Sequence, residues 1–158
     1  MEKAKRLGLK VALDLSNFNI VNGFKPLLEE LIPRYVDILF SNESEAAAYT
    51  GLPAEEAVLA LAKQVEVAIV TIGKRGSLVA SAGQCYAIAA EGGKPIDTTG
   101  AGDNFAAGFL YGQSVGASWA QSAQIGSTLS GYVIDVVGPQ IPDAKWPEIQ
   151  EKVKAILN

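Results

Sequence analysis

The segment from Asp97 to Leu110 holds the densest group of residues able to do chemistry in this chain. Its sequence, DTTGAGDNFAAGFL, begins with small residues and continues into a helical pattern. Gly100, Ala101 and Gly102 would let backbone N–H groups approach a ligand closely at the helix start, where free donors and the helix dipole favour an anion. Asp103 would lie in the first turn, suited to accept a proton from a hydroxyl group that attacks a phosphoryl group.

The alternative for this segment is a glycine-rich turn in which Asp103 only complements the helix dipole. Two other nucleotide-binding patterns do not fit the sequence. A P-loop needs GxxxxGK[ST], and Gly73-Lys74 is followed by Arg75. A dinucleotide fingerprint needs GxGxxG, and Phe105 stands where the third glycine would be. The pattern therefore predicts an anion site of another kind.

Polar residues also follow the first two predicted strands. Asn42 and Glu45 come after the apolar run 36–40, and their spacing is that of a capping box, which is one interpretation of the pair. Asp14 lies near the end of the run 10–15 and is interpreted as a strand-end cap, with an approach to phosphate or magnesium as the alternative.

A third group follows the predicted strand 67–72. Thr71, Gly73 and Gly76 predict a turn that enters a hairpin, and the same residues could line a ligand. The region from Gly126 to Pro142 is typical of a core helix that ends at a glycine.

Short apolar runs that alternate with helical patterns must position these residues. Alternation of this kind predicts crossover units and an α/β fold with a mainly parallel sheet. Ala82-Gly83 predicts an antiparallel hairpin at the sheet edge, and a loop covers 91–95. The predicted strands are 10–15, 36–40, 67–72, 77–81 and 84–89, and the predicted helices are 2–7, 23–31, 43–49, 54–65, 101–111, 118–136 and 143–157.

Composition excludes several classes of protein. The 158 residues contain no His, so a Ser-His-Asp triad and a His-ligated metal site are excluded, and the single cysteine, Cys85, excludes an intramolecular disulfide. A net charge of −4 without a basic run argues against nucleic-acid binding. No apolar run reaches the length of a membrane span, and residues 1–6 lack a signal-peptide core. We expect a cytoplasmic protein without membrane or nucleic-acid partners.

Residues 97–110 resemble the C-terminal signature of the PfkB (ribokinase-like) carbohydrate and nucleoside kinases, in which small residues precede Gly-Ala-Gly-Asp and a helix. The Asn42-x-x-Glu45 pair resembles the family's Asn-x-x-Glu motif, and residues 71–76 resemble its Thr-x-Gly-x-x-Gly loop. The resemblance implies a ribokinase-like (Rossmann-like) three-layer α/β/α fold. It also implies transfer of the ATP γ-phosphoryl group to an alcohol of a sugar or nucleoside.

The resemblance also implies a role for each matching residue. Asp103 would be the base, and the N–H groups from Gly100 to Asp103 the anion hole. Asn42 and Glu45 would hold Mg²⁺ through water, with Asn42 also near the nucleotide phosphates. Residues near the nucleotide would be Thr71, Gly73, Gly76, Gly126, Ser127 and Ser130. A monovalent cation, such as K⁺, would be held by Asp97, Thr99 and carbonyls between Val133 and Gly138.

The resemblance covers the C-terminal half of a typical family member. We therefore expect residues 1–158 to be a single domain that lacks the N-terminal half, with its lid and most substrate contacts. An open strand edge predicts a homo-oligomer joined through that edge. The alternative function is a fragment that binds nucleotide or self-associates without kinase activity.

Overall fold

The computed structural model describes residues 1–92 and 95–158, so Gly93 and Lys94 of the predicted loop 91–95 lie outside the described residues. The helices are α1 (Glu2–Arg6), α2 (Phe18–Tyr35), α3 (Glu43–Thr50), α4 (Ala54–Leu61), α5 (Ala101–Ser114), α6 (Trp119–Val133) and α7 (Trp146–Leu157). The strands are β1 (Ala12–Asp14), β2 (Ile38–Asn42), β3 (Val67–Thr71), β4 (Ser77–Ser81) and β5 (Gln84–Ile88). Short 3₁₀ turns cover Gly73–Arg75 and Asp143–Lys145.

The strands of the described residues form one five-stranded sheet in the order β1-β2-β3-β4-β5. β1 pairs with β2 in parallel, and β2 pairs with β3 in parallel, so that Asn42 lies opposite Thr71. Ala82 and Gly83 join β4 to β5 with φ values of 48° and 79°, as a type I′ turn requires. A two-residue connection joins antiparallel strands. The expected sheet, parallel with a hairpin at one edge, is confirmed.

Contacts within the chain define two compact units. The first comprises residues 1–72 and 78–87, and its core includes Leu39, Leu61 and Val70, all of which are fully buried. The second comprises residues 73–77 and 88–158, and its core is built on α6 and α7. The single domain over residues 1–158 stays a prediction.

Helix α2 differs most from its predicted range of 23–31. It begins at Phe18 because the Asn17 side chain accepts hydrogen bonds from the N–H groups of Asn19 and Ile20, each at 3.0 Å. A kink at Phe24, with φ −120°, lies two residues before Pro26, which has no N–H to donate to the preceding turn. The helix therefore also includes residues 18–22 and 32–35, which the spacing of apolar residues did not predict as helical.

Strand β2 is displaced by two residues from its predicted range of 36–40. It ends at Asn42, and Ser41 within it is buried with its hydroxyl donating to the Ile69 carbonyl at 3.1 Å. Pairing with β3 thus extends the strand through polar residues that the apolar run excluded. Helices α4 and α6 end four and three residues before their predicted C-termini.

Candidate functional site

In the first unit, the predicted polar residues lie at the carboxyl ends of adjacent parallel strands. Asp14 ends β1, Asn42 ends β2 and Thr71 ends β3. Ligands of open α/β sheets bind outside this edge of the strands. The Thr71 hydroxyl donates to the Ser41 carbonyl at 3.4 Å, which links the ends of β2 and β3.

Asn42 and Glu45 form the capping box that their spacing predicts. The Asn42 side-chain oxygen Oδ1 accepts from the Glu45 backbone N–H at 3.0 Å, and the Glu45 carboxylate accepts from the Asn42 backbone N–H at 2.8 Å. A further bond joins the Asn42 amide N–H to the second Glu45 oxygen at 2.5 Å. These bonds hold the carboxylate in one orientation at the start of α3.

The Glu45 carboxylate lies in an environment that disfavours its charge. Glu45 is 3% exposed, and this burial raises its pKa above the ordinary 4.5. The Asn42 N–H opposes the shift, and the negative charge of Asp14 adds to it. Asp14 itself accepts from the Ser16 N–H at 2.7 Å, as a strand-end cap would. A nearby cation would relieve the repulsion between these two carboxylates.

In the second unit, Gly73 and Gly76 form the turn before β4. The Gly76 N–H donates to the Gly73 carbonyl at 2.9 Å. Gly76 has a φ of +95°, and a Cβ atom there would lie 1.9 Å from the Ile88 carbonyl oxygen. Gly73 has a φ of +58° with open space around it. Packing therefore requires glycine at position 76, whereas position 73 borders open space.

The segment before α5 forms a tight turn that ends in a left-handed glycine. Gly100 is the residue before the helix, with a φ of +77°. The Ala101 N–H donates to the Thr98 carbonyl at 3.2 Å, so it is already engaged in the turn. The first N–H group of α5 that donates to a carbonyl four residues earlier is that of Asn104, which bonds to the Gly100 carbonyl at 2.9 Å. The N–H groups of Gly102 and Asp103 come before it, at positions that have no carbonyl partner within the helix. Two donors are thus directed outward from the helix start.

Asp103 lies in the first turn of α5 and is exposed. Its carboxylate is therefore accessible beside those two donors. A Cβ atom at Gly102 would meet no heavy atom within 4 Å, so the space next to Asp103 is open. This arrangement can hold an anion and present a carboxylate to it.

Asp97 and Thr99 lie next to the segment 134–138, as the predicted cation site requires. One Asp97 oxygen accepts from the Thr99 N–H and hydroxyl at 2.9 and 2.7 Å, and the other accepts from the Gly138 N–H at 2.8 Å. The hydrogen bond from the Gly138 N–H lowers the pKa of Asp97 most, and the two bonds from Thr99 lower it further, so this pKa lies below its ordinary value. The Ile134 carbonyl already accepts from the N–H groups of Ile96 and Asp97. Carbonyls 135–137 therefore remain as the candidate ligands.

The predicted nucleotide residues on α6 make internal contacts. A Cβ atom at Gly126 would lie 2.7 Å from the Phe105 carbonyl oxygen, so glycine allows α5 and α6 to approach. Ser127 is buried, donates to the Ala89 carbonyl at 2.8 Å and accepts from the Glu91 N–H at 3.1 Å. Ser130 is half-buried. The structure thus gives Gly126 and Ser127 packing roles, and contact with a nucleotide stays a prediction for all three.

Two glycines of α5 and one polar side chain have structural roles that the sequence pattern did not predict. Cβ atoms at Gly108 and Gly112 would lie 2.8 Å from the Ile125 carbonyl and 2.6 Å from the Ser122 hydroxyl. Their Gly-x-x-x-Gly spacing places both on one face and could have indicated the close approach of α6. Asn104, whose amide reaches two carbonyls, carried no signal of its own in the sequence.

Two kinds of feature are absent from residues 1–92 and 95–158. No helix among them is both long and apolar enough to cross a membrane. They also contain no group of three or more Asp, Glu or Cys side chains placed to hold a metal ion.

Comparison with known proteins agrees with this architecture. The chain is 33% identical to an adenosine kinase of Schizophyllum commune over 95% of this chain and 49% of that protein. The crystal structure of adenosine kinase from Sinorhizobium meliloti matches with a TM-score of 0.88 and 31% identity, over 96% of this chain and 47% of that one. A probable sugar kinase from Rhizobium etli CFN 42 also matches with a TM-score of 0.88, at 29% identity and over the same shares.

The expected ribokinase-like α/β fold is therefore confirmed, and the chain spans about half the length of the relatives it matches. The pattern described as pfkB family carbohydrate kinase matches residues 1–146. Because that match covers nearly the whole chain, this protein belongs to the pfkB family of carbohydrate kinases.

Proposed function

We propose that this chain carries the nucleotide and phosphoryl-transfer part of an ATP-dependent kinase that acts on an alcohol group of a sugar or nucleoside. The observation that carries the proposal is the open start of α5, where two outward N–H donors stand beside the exposed Asp103 carboxylate. Relatives named adenosine kinase and ribokinase support the reaction class and the two substrate classes.

In this mechanism the substrate hydroxyl oxygen attacks the γ-phosphorus, and its proton passes to the Asp103 carboxylate. The bond from that phosphorus to the bridging oxygen breaks, and ADP leaves. The N–H groups of Gly102 and Asp103 stabilise the negative charge that develops on the phosphoryl oxygens. A positioned base increases the reaction rate by a factor of about 10² to 10⁴, and we expect Asp103 to contribute a factor of this size.

The polar pair of the first unit fits a water-mediated magnesium site. Mg²⁺ keeps several waters and takes few direct protein ligands, and when bound it would neutralise phosphate charge. Glu45 is oriented by Asn42 and has its charge disfavoured by burial and by Asp14, so a cation nearby would stabilise it. In the second unit, Asp97, Thr99 and carbonyls 135–137 would hold the potassium ion.

The nucleotide would also contact Thr71, Gly73, Gly76 and the α6 residues predicted for it. Gly73, which borders open space, is the position of this group best placed to accept a ligand. We also propose that the protein acts in the cytoplasm.

The test combines nucleotide binding with turnover. ADP or ATP with Mg²⁺ should raise the melting temperature of the wild type, and ADP release should be measured with ribose, fructose and adenosine as acceptors. Asp103→Asn should keep the nucleotide-induced shift and lower any turnover by about 10² to 10⁴. Glu56→Gln, at an exposed carboxylate in the first turn of α4, is the matched control. Absence of any nucleotide-induced shift in the wild type would refute the nucleotide site.

A second candidate function is nucleotide binding or self-association without kinase activity. β1 lies at one end of the strand order. Val11 and Leu15 bond to β2, so the backbone groups of the alternate residue Ala12 face away from β2. Such an edge can pair with another chain.

Helix α2 adds apolar surface that supports association. Ile20, Phe24 and Leu27 are 42%, 54% and 49% exposed and recur at helical spacing. We propose a homo-oligomer joined through the β1 edge, which light scattering would detect as twice the monomer mass or more. Ala12→Pro removes an N–H of the free edge and should weaken that association. A monomer at high concentration would refute it.

A further inference from the structure

The side chain of Asn104 connects two backbone segments at the start of α5. Its amide N–H groups donate to the Gly100 carbonyl at 2.9 Å and to the Pro139 carbonyl at 3.3 Å. Gly100 is the left-handed residue that precedes the helix, and Pro139 follows the turn at Gly138. Asn104 is also the residue directly after Asp103, so it lies within the turn that holds the outward donors.

The orientation of this amide follows from its partners. Both neighbouring atoms are carbonyl oxygens, which can only accept, so the nitrogen end of the side chain must face them. The two hydrogens of that nitrogen account for the two bonds. Asparagine is therefore chemically specific here, because aspartate has the same shape but would direct a carboxylate at two acceptors.

A second bond joins the same two segments. Asp97 accepts from the Gly138 N–H at 2.8 Å on the other side of the turn. Gly100 and Pro139 are in close contact, since a Cβ atom at Gly100 would lie 2.6 Å from the Pro139 Cβ atom. We call this set of contacts the α5 clamp: the Asp97–Gly138 bond, the Asn104–Pro139 bond and the Gly100–Pro139 packing.

We propose that Asn104 is a positioning residue that holds the N–H donors of Gly102 and Asp103 in place through the α5 clamp. The inference rests on the proposed function, because it assigns those donors to a phosphate. Glycines at positions 100 and 102 leave the turn free to adopt many conformations unless other contacts restrain it. Donors that stabilise developing charge must be held near their final positions before the reaction.

Amide hydrogen exchange by NMR tests the clamp without any ligand. Asn104→Ala should increase exchange at Gly138, whose N–H bonds to Asp97 and not to Asn104, by about tenfold. Gln113→Ala is the matched control, because Gln113 also makes two amide bonds, to the Ala117 carbonyl at 3.1 Å and the Ser122 hydroxyl at 2.7 Å, at the opposite end of α5. Unchanged exchange at Gly138 in Asn104→Ala, or an equal increase in the control, would overturn the clamp.

Affinity for Mg·ATP, measured without an acceptor, tests the consequence for the site, because the γ-phosphate of ATP would contact the two donors. Asn104→Ala should raise the Kd about tenfold, and Asn104→Asp should raise it further because its carboxylate faces two carbonyls. Gln113→Ala should leave the Kd within a factor of two of the wild type. Asn104→Ser keeps one donor and gives an intermediate value, and it serves if the other two variants do not fold.

The two hypotheses fail in different ways. A wild type that does not bind Mg·ATP refutes the proposed function, whereas the exchange result still decides whether Asn104 restrains the turn. Wild-type binding that Asn104→Ala, Asn104→Asp and Asn104→Ser leave unchanged supports the nucleotide site and overturns the positioning role.

Discussion

Two glycines separated by one residue should respond in opposite ways to the same substitution. Gly100 has a φ of +77°, and a Cβ atom there would lie 2.6 and 2.9 Å from the Cβ and Cα atoms of Pro139. Gly102 has ordinary helical geometry, and a Cβ atom there would meet nothing within 4 Å. We therefore compare Gly100→Ala with Gly102→Ala.

The expected free energies follow from these contacts. Gly100→Ala adds about 1–2 kcal/mol for the left-handed backbone and about 1–3 kcal/mol for the overlap with Pro139, so the free energy of unfolding should fall by about 2–5 kcal/mol. For a chain of this length that loss lowers the melting temperature by roughly 5–15 °C. Gly102→Ala removes backbone freedom from the unfolded chain and should leave stability equal or higher by up to about 1 kcal/mol.

Chemical denaturation measures the stability of both variants, and calorimetry with Mg·ATP in the absence of an acceptor measures binding. Gly102→Ala should weaken Mg·ATP binding about tenfold while its stability is retained, because the new methyl group occupies space beside the outward donors. Equal stability of the two variants would refute the assignment of Gly100 to a structural role. A stable Gly102→Ala variant with wild-type affinity would refute the anion site.

Three further measurements test other parts of the structure. Ser127→Ala removes the hydroxyl that bonds to the Ala89 carbonyl and the Glu91 N–H. The free energy of unfolding, measured in urea, should therefore fall by about 1–3 kcal/mol, and an unchanged value would contradict a stabilising role for these bonds. Asp14→Asn removes a negative charge near Glu45, so the Glu45 pKa should fall toward its ordinary value of 4.5 in a carboxyl NMR titration, and an unchanged pKa would contradict the coupling. The folded pKa of Asp97 lies below the ordinary 3.8, so its carboxylate stabilises the fold above that pH and the contribution disappears as the pH falls through the lower folded value. The stability difference between wild type and Asp97→Asn should therefore shrink in acid, and a difference that persists would exclude a charge effect.

Much of the local structure follows from short-range signals in the chain. The capping box at Asn42 and Glu45 requires only residues three apart, and the hairpin at Ala82-Gly83 requires only a turn between two apolar runs. The alternation of runs likewise predicted a mainly parallel sheet, and the first three strands pair in parallel. The limits of β2 were wrong because pairing with β3, and not local hydrophobicity, sets where a strand ends.

The residue types also determined which chemistry to expect. The absence of histidine excludes a Ser-His-Asp triad, and the small residues before a helix that begins with an aspartate predict an anion site beside a carboxylate. The sequence did not determine the role of each glycine. A glycine that lets a ligand approach and a glycine that lets a neighbouring helix approach cannot be distinguished from the sequence pattern. Only the tertiary structure assigns Gly126 to the contact with α5, Gly100 to the contact with Pro139, and leaves Gly102 open. The physical reason is that a missing side chain has meaning only through the atoms that would occupy its place, and those atoms come from distant parts of the chain.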